Sequence, residues 1–315
     1  SEHKNSCKPC AMYIMDQVDA LHKSNKWRKL LKWSSYLNPL LELVDKDGKR
    51  ILLTMFKDAN QMGSNTTNDP VYSSTLIPIL QKLIVLFEKD KNFGAVGKLL
   101  CEMGQSFSFI DNEKEEMACY RRAIEIGDKH GIAGVKCVGN LGVGRIFAKN
   151  QRLLEAKPLL RIALEAAESE CTTWMNEHAV MISDEFCAVL FSLNSIDEAE
   201  PIVKRFPELL KKLLGSSSPR LQHYHMRGYI LLARFYEAKD RPEEAVSEIY
   251  KMLALIDATK DAIHDFRPLF IHLLDQALEN LRILQNTDIG DLHLAKAVCD
   301  LRIQQMMKDV RWSSV

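Results

Sequence analysis

Apolar residues recur every three or four positions along almost the whole 315-residue chain, and no stretch sustains an apolar–polar alternation. A strand turns successive side chains to opposite faces, so a chain without that period has no half-buried sheet to build. The spacing predicts an all-α fold, with helices near 10–23, 25–43, 48–62, 73–90, 93–109, 113–130, 133–149, 152–169, 172–193, 196–214, 219–238, 241–257, 261–285 and 290–309. Only 14 Gly and 10 Pro are present, too few for a turn-dense β fold, collagen or Pro/Gly-rich disorder. Capping-box spacing at Ser195 with Glu198 and at Asp240 with Glu243 marks two helix starts. Gly215-Ser-Ser-Ser-Pro219 reads as a linker, and Gly63-Ser-Asn-Thr-Thr-Asn-Asp-Pro70 as a loop behind the first three helices.

A longer pattern is laid over the helical one. A small residue is followed by an aromatic at +3, an Ala-type position nine residues later, a bulky residue four beyond that and a second Ala-type position at +7. Gly144, Phe147, Ala156, Leu160 and Ala163 form one unit; Ala233, Tyr236, Ala245, Ile249 and Met252 form another. Gly104, Phe107, Glu116, Tyr120 and Ala123 make an earlier copy, with Glu116 where a small residue belongs. Cys187, Leu190, Ala199, Val203 and Phe206 make a weaker one. Antiparallel helices pack closely only where small side chains let their backbones approach, while the bulky position fills the space between neighbouring pairs.

This pattern resembles the tetratricopeptide repeat over roughly residues 95–257, with a repeat stretched beyond the usual ~34 residues. The resemblance implies an antiparallel helix-pair, superhelical solenoid: an N-terminal helical region at 11–92, repeats at 93–257 and capping helices at 258–315. It also implies a non-catalytic protein-interaction scaffold that binds a partner along the first helix of each pair. Carried over position by position, that face contains Lys98, Cys101 and Gln105, then Leu141 and Arg145, then Asp184 and Ala188, then Arg227, Ile230, Arg234 and Glu237. The partner-groove candidates are Lys98, Gln105, Arg145, Arg227 and Arg234. Their positive charge suits a protein or peptide partner with acidic side chains or a free carboxylate, because guanidinium binds carboxylate through two parallel hydrogen bonds. Gln105 and Arg145 stand where an Asn of a chaperone-tail clamp is expected, so that ligand is not implied.

The first residues resemble a second family. His3, Lys4 and Cys7 match the ending of a MYND-type zinc finger, and H-x3-C spacing places an imidazole and a thiolate on consecutive turns for one tetrahedral zinc. Residues 1–10 would then be the tail of such a finger, with His3 and Cys7 as zinc ligands only where the remaining ligands precede Ser1. As it stands the chain is expected to hold no cofactor. The same association leaves two alternatives open. One is the helical C-terminal part of a SET-and-MYND lysine methyltransferase; the other is a peptide-sensing regulator built on these repeats.

The remaining features exclude more than they add. Lys and Arg total 42, as do Asp and Glu, so no overall basic excess points to nucleic acid or an anionic membrane. The most apolar segment, Leu76 to Phe87, is interrupted by Pro78, Gln81 and Lys82 and is not expected to span a bilayer. The basic run from Lys23 to Lys32 is expected to be a solvated face. Gly139-Asn-Leu-Gly-Val-Gly144 lacks the strand setting and residue order of a phosphate loop, and no HExxH or GxSxG motif occurs. Six of the eight cysteines fall in apolar helical stretches, where reduced thiols are usually buried. A cytoplasmic or nuclear protein without enzymatic activity is the expectation.

Overall fold

Six of the described helices stop where one residue turns left-handed. The computed structural model describes residues 8–24, 26–32, 37–67, 70–170, 172–213, 221–241 and, between 244 and 252, all but 246 and 250. Its helices are α1 (Lys8–Lys23), α2 (Trp27–Leu31), α3 (Leu37–Leu43), α4 (Lys46–Thr67), α5 (Pro70–Lys89), α6 (Phe93–Phe109), α7 (Glu113–His130), α8 (Ala133–Lys149), α9 (Leu153–Glu168), α10 (Thr173–Ser192), α11 (Ile196–Leu213) and α12 (Leu221–Ala238). Helical residues recur between 244 and 252, and no strand occurs among the described residues. The helices expected at 261–285 and 290–309 lie outside them, as do His3 and Cys7.

Five non-glycine residues adopt positive φ: Lys91, Asp111, Gln151, Asn194 and Asp240, at 53–60°; Gly131 joins them at 64°. Each follows a helix C-terminus. The next backbone N–H then reaches back five positions, closing a six-residue turn: Asn92 donates to the Phe87 carbonyl at 2.9 Å, Asn112 to Phe107 at 3.0 Å, Ile132 to Gly127 at 2.9 Å, Ser195 to Leu190 at 2.8 Å and Arg241 to Tyr236 at 2.8 Å. This closure satisfies a carbonyl that the helix end would otherwise leave unpaired. Asn92 and Asn112 also cap the following helix, their side chains accepting from Ala95 and Glu115 at 3.1 and 3.3 Å. Such short connections make consecutive helices antiparallel.

These turns set the register of the repeat. In all four units the small residue lies seven positions before the left-handed residue, the aromatic (Leu190 in the third) four before it and the Ala-type position five after it. Lys91, Asp111, Gly131 and Gln151 are evenly spaced, two turns per helix pair. The side chains follow the register inward. Ala156, Ala199, Ala245, Ala123 and Ala163 are fully buried, and Tyr120, Leu160, Val203 and Ile249 nearly so.

Two compact units result, residues 1–150 and 151–315. In the first, α4 through α8 pack each on the next, and α6 also touches α8. The tightest seat is that of Tyr120 on α7. A Cβ placed on Gly142 of α8 would come within 2.5 Å of its ring, and one on Gly104 of α6 within 2.9 Å. One on Gly97 would meet Val135 at 2.5 Å. In the second unit α9, α10, α11 and α12 pack in order, α10 also touching α12, and a Cβ on Gly228 would meet Phe206 at 2.8 Å.

The N-terminal region departs from expectation in three places. The stretch expected as one helix over 25–43 contains two short ones, α2 and α3, with Pro39 in the first turn of α3, where its missing N–H costs nothing. The expected loop after Gly63 is instead the last turn of α4, which runs to Thr67; polar residues without a proline do not end a helix by themselves. Finally, Val71–Lys89 is long and apolar enough to cross a membrane, at mean hydropathy 1.3. Its Leu76, Ile79, Leu80, Leu83 and Ile84 are buried, with α4 and α6 packed against the helix. Pro78 stays inside it.

Two substitutions of opposite sign test this register. Gly142→Ala should lower stability by about 1–3 kcal/mol despite the better helix propensity of Ala, because the Tyr120 ring has no room to move. Gln151→Gly should raise stability by about 1 kcal/mol by relieving the left-handed Cβ contact. Thermal unfolding of both variants checks the pair; a stabilised Gly142→Ala would refute the close approach.

Candidate functional site

The candidate surface belongs to the first helices of the pairs, α6, α8, α10 and α12. In the first unit, Lys98 and Gln105 stand exposed on α6 and Arg145 exposed on α8. Cys101 and Leu141, on the same expected line, are buried and belong to the core. Lys57 of α4 reaches Glu102 of α6 at 3.3 Å, tying neighbouring first helices together. Arg145 lies within electrostatic reach of Glu116.

Glu116 occupies the position where other units carry Ala, and it is buried. Burial pushes its carboxyl above the ordinary range; the Ser108 hydroxyl, Lys149 and Arg145 partly offset this. The departure from the repeat pattern is thus accommodated by a hydroxyl and two cations, not by a change of register.

In the second unit the face is more tightly paired. The Arg227 Nε donates to Asp184 of α10 at 2.7 Å, and both side chains are largely shielded from water. A second guanidinium nitrogen of Arg227 contacts the same carboxylate. Arg227 therefore does not stand open to a partner carboxylate; the preceding first helix already supplies one. Arg234 places its guanidinium 5.8 Å from the centroid of the Phe191 ring. Tyr224 brings its hydroxyl to 3.4 Å from Glu177, and Glu237 is half-buried, its carboxyl pushed up by burial and lowered less by Arg234. Ile230 is buried. Three side-chain contacts thus join α10 to α12, while Arg234 acts on Glu237 within α12. A sequence signal existed for one: Asp184 and Arg227 are one repeat apart, both expected on the same face.

Four thiols of the described helices lie in the core. Cys101, Cys119, Cys137 and Cys187 are reduced and buried. Burial pushes the Cys101 and Cys187 thiols up to about 12 and that of Cys119 up to about 11, so none is a thiolate near neutrality. Among the described residues no group of three or more His, Cys, Asp or Glu side chains is arranged to hold a metal ion.

Two solved structures share this arrangement. BtubC (BKLC) from P. vanneervenii aligns with a TM-score of 0.53 at 11% identity, over 82% of this chain and 92% of its own. The Rap conjugation gene regulator of the plasmid pLS20, in complex with the Phr* peptide, aligns with a TM-score of 0.51 at 13% identity, over 95% and 96% of the two chains. No protein-family model and no curated protein matches the chain. At such identities the likeness shows the fold. It is the all-α, tetratricopeptide-like arrangement of antiparallel helix pairs that the resemblance implies. None of these likenesses supports a MYND-type ending.

The Arg227–Asp184 pair should behave as a unit. Arg227→Ala alone should cost about 1–3 kcal/mol, since it strands a shielded carboxylate, and a double-mutant cycle with Asp184→Ala should show coupling of similar size. Glu116 sets a pH dependence of defined sign. Its folded-state carboxyl titrates above its unfolded value, so the folded state holds the proton longer. Stability falls as pH rises through the ordinary carboxylate range and up to the raised folded value. Glu116→Gln should therefore raise the Tm at pH 7, and the gain should vanish in acid below the unfolded pKa. A Gln variant less stable than the parent at pH 7 would contradict the assignment.

Proposed function

We propose that the protein is a non-catalytic interaction scaffold that holds a segment of a partner protein or peptide against the first helices of its repeats. The observation that carries this reading is the pattern of burial on those helices. Cys101, Leu141 and Ile230 are core, while Lys98, Gln105, Arg145 and Trp174 project polar or aromatic groups to solvent from the same elements. Rigid helices with fixed exposed side chains are preorganised, so the partner segment bears most of the ordering cost. The peptide held by the Rap regulator, a protein of the same fold, supports the reading.

In the first unit the exposed Lys98 and Arg145, together with the exposed Gln105, suit a partner that brings carboxylates. A cytoplasmic or nuclear setting, with its soluble partners and reduced thiols, fits this role. The zinc ligands His3 and Cys7 would add a metal site only as the end of a complete finger.

The test is a triple substitution, Lys98→Ala with Gln105→Ala and Arg145→Ala, all at exposed positions. It should leave helical circular dichroism intact and weaken capture of a selected acidic peptide at least tenfold. Undiminished capture would remove the first-unit face from the binding surface.

A further inference from the structure

Glu116 breaks the packing rule of the repeat in which it sits. The other units bury Ala156, Ala199 and Ala245 at the equivalent position, and this one buries a carboxyl group. Taking an ionised carboxylate out of water is costly unless charges and hydrogen bonds answer it. What answers Glu116 is therefore informative.

Glu116 lies in the first turn of α7, between α6 and α8, which both pack on that helix. From α6 the Ser108 hydroxyl donates to its carboxyl, and from α8 Lys149 and Arg145 supply two positive charges. On α7 itself Glu113 is a second negative charge in reach, and it accepts from the Asn150 Nδ2 at 2.8 Å. Lys149 also lies 3.8 Å from Asp111, an exposed carboxylate of the preceding turn. Burial pushes up the Cys119 thiol and the Tyr120 phenol, the other titratable neighbours, so both are neutral near pH 7.

Arg145 and Lys149 are four residues apart on α8 and so share one side. Both are exposed, whereas Glu116 is buried. The same two cations thus answer a carboxylate inside the protein and stand open to water outside. A carboxylate arriving from water competes with the internal one, and two carboxylates sharing one set of cations hold a proton more firmly than either alone.

We propose that Glu116 is an internal counter-ion of the first-unit face: a partner carboxylate takes over Arg145 and Lys149, and Glu116 accepts a proton from solvent as the partner binds. This rests on the scaffold reading above and adds to it a regulation of the same site. Its sign follows from linkage. The bound state holds the proton more tightly than the free state, so affinity rises as pH falls from neutrality. It levels off once the free protein is itself protonated at Glu116, and side-chain carboxylates of the partner stay ionised down to about pH 4.

The experiment selects acidic, histidine-free dodecapeptides on phage at pH 5.5 against the full chain. It keeps those whose capture is lost on combined Lys98→Ala, Gln105→Ala and Arg145→Ala substitution. Isothermal titration calorimetry at pH 5.5 and 7.5, in buffers of different ionisation enthalpy, then reads affinity and proton uptake. The parent should bind at least about fivefold more tightly at pH 5.5 and take up protons on binding. Glu116→Gln should bind at pH 7.5 nearly as the parent does at pH 5.5, with a flattened pH profile and reduced uptake. Circular dichroism and Tm confirm folding; should Glu116→Gln unfold, Glu116→Ala, the residue of the other units, carries the test. A variant with the parent's affinity and pH profile overturns the counter-ion assignment while the scaffold reading stands. If no selected peptide depends on Lys98, Gln105 and Arg145, both are overturned.

Discussion

The fold depends on the close approach of helices at positions where one of them has no side chain. Tyr120 fills the space between Gly104 and Gly142, and a single added carbon at either glycine would overlap its ring. A bulky group seated between bare backbones fixes separation and rotation together, because it fits only one way. Leu160 and Val203 hold the equivalent position of later repeats and are also buried. Everything outward follows from that seat. Once the bulky position points in, the residues half a turn away on each first helix must point out.

The turns carry the same constraint along the chain. A left-handed residue costs an L-amino acid roughly 1 kcal/mol or more, yet Asp111, Gln151, Asn194 and Asp240 are kept at equivalent places, four in all. The six-residue backbone closure and the capping Asn side chains repay that cost, and the helix is stopped at a defined rotation. The repeat lengthens toward the C-terminus, but the distances from turn to small, aromatic and Ala-type positions do not change. Length is taken up elsewhere, so the inward face is preserved.

Much of this was legible in the residues. The spacing of Gly144, Phe147, Ala156, Leu160 and Ala163 is a packing rule written in one dimension, and burial follows it unit by unit. The helix ends after Lys89, Phe109 and His130 were legible to within a residue or so, since Asn caps and a glycine mark them. The turns themselves were not: Lys91 and Gln151 carry no composition that announces positive φ. The site was legible only as a line of positions. That Cys101 and Leu141 fall inside it follows from helix rotation, which periodicity fixes only coarsely. That Arg227 is neutralised follows from a contact between helices more than 40 residues apart in sequence, which no local pattern encodes. A count of arginines therefore overstated the positive charge of the second unit.

The account rests on one claim about geometry, that partners are held by the first helices of the pairs. Hydrogen–deuterium exchange of the full chain with and without a saturating selected peptide measures it most directly. The account predicts added protection concentrated in α6, α8, α10 or α12, with α7, α9 and α11 unchanged. Protection confined to α7, α9 and α11 would contradict it.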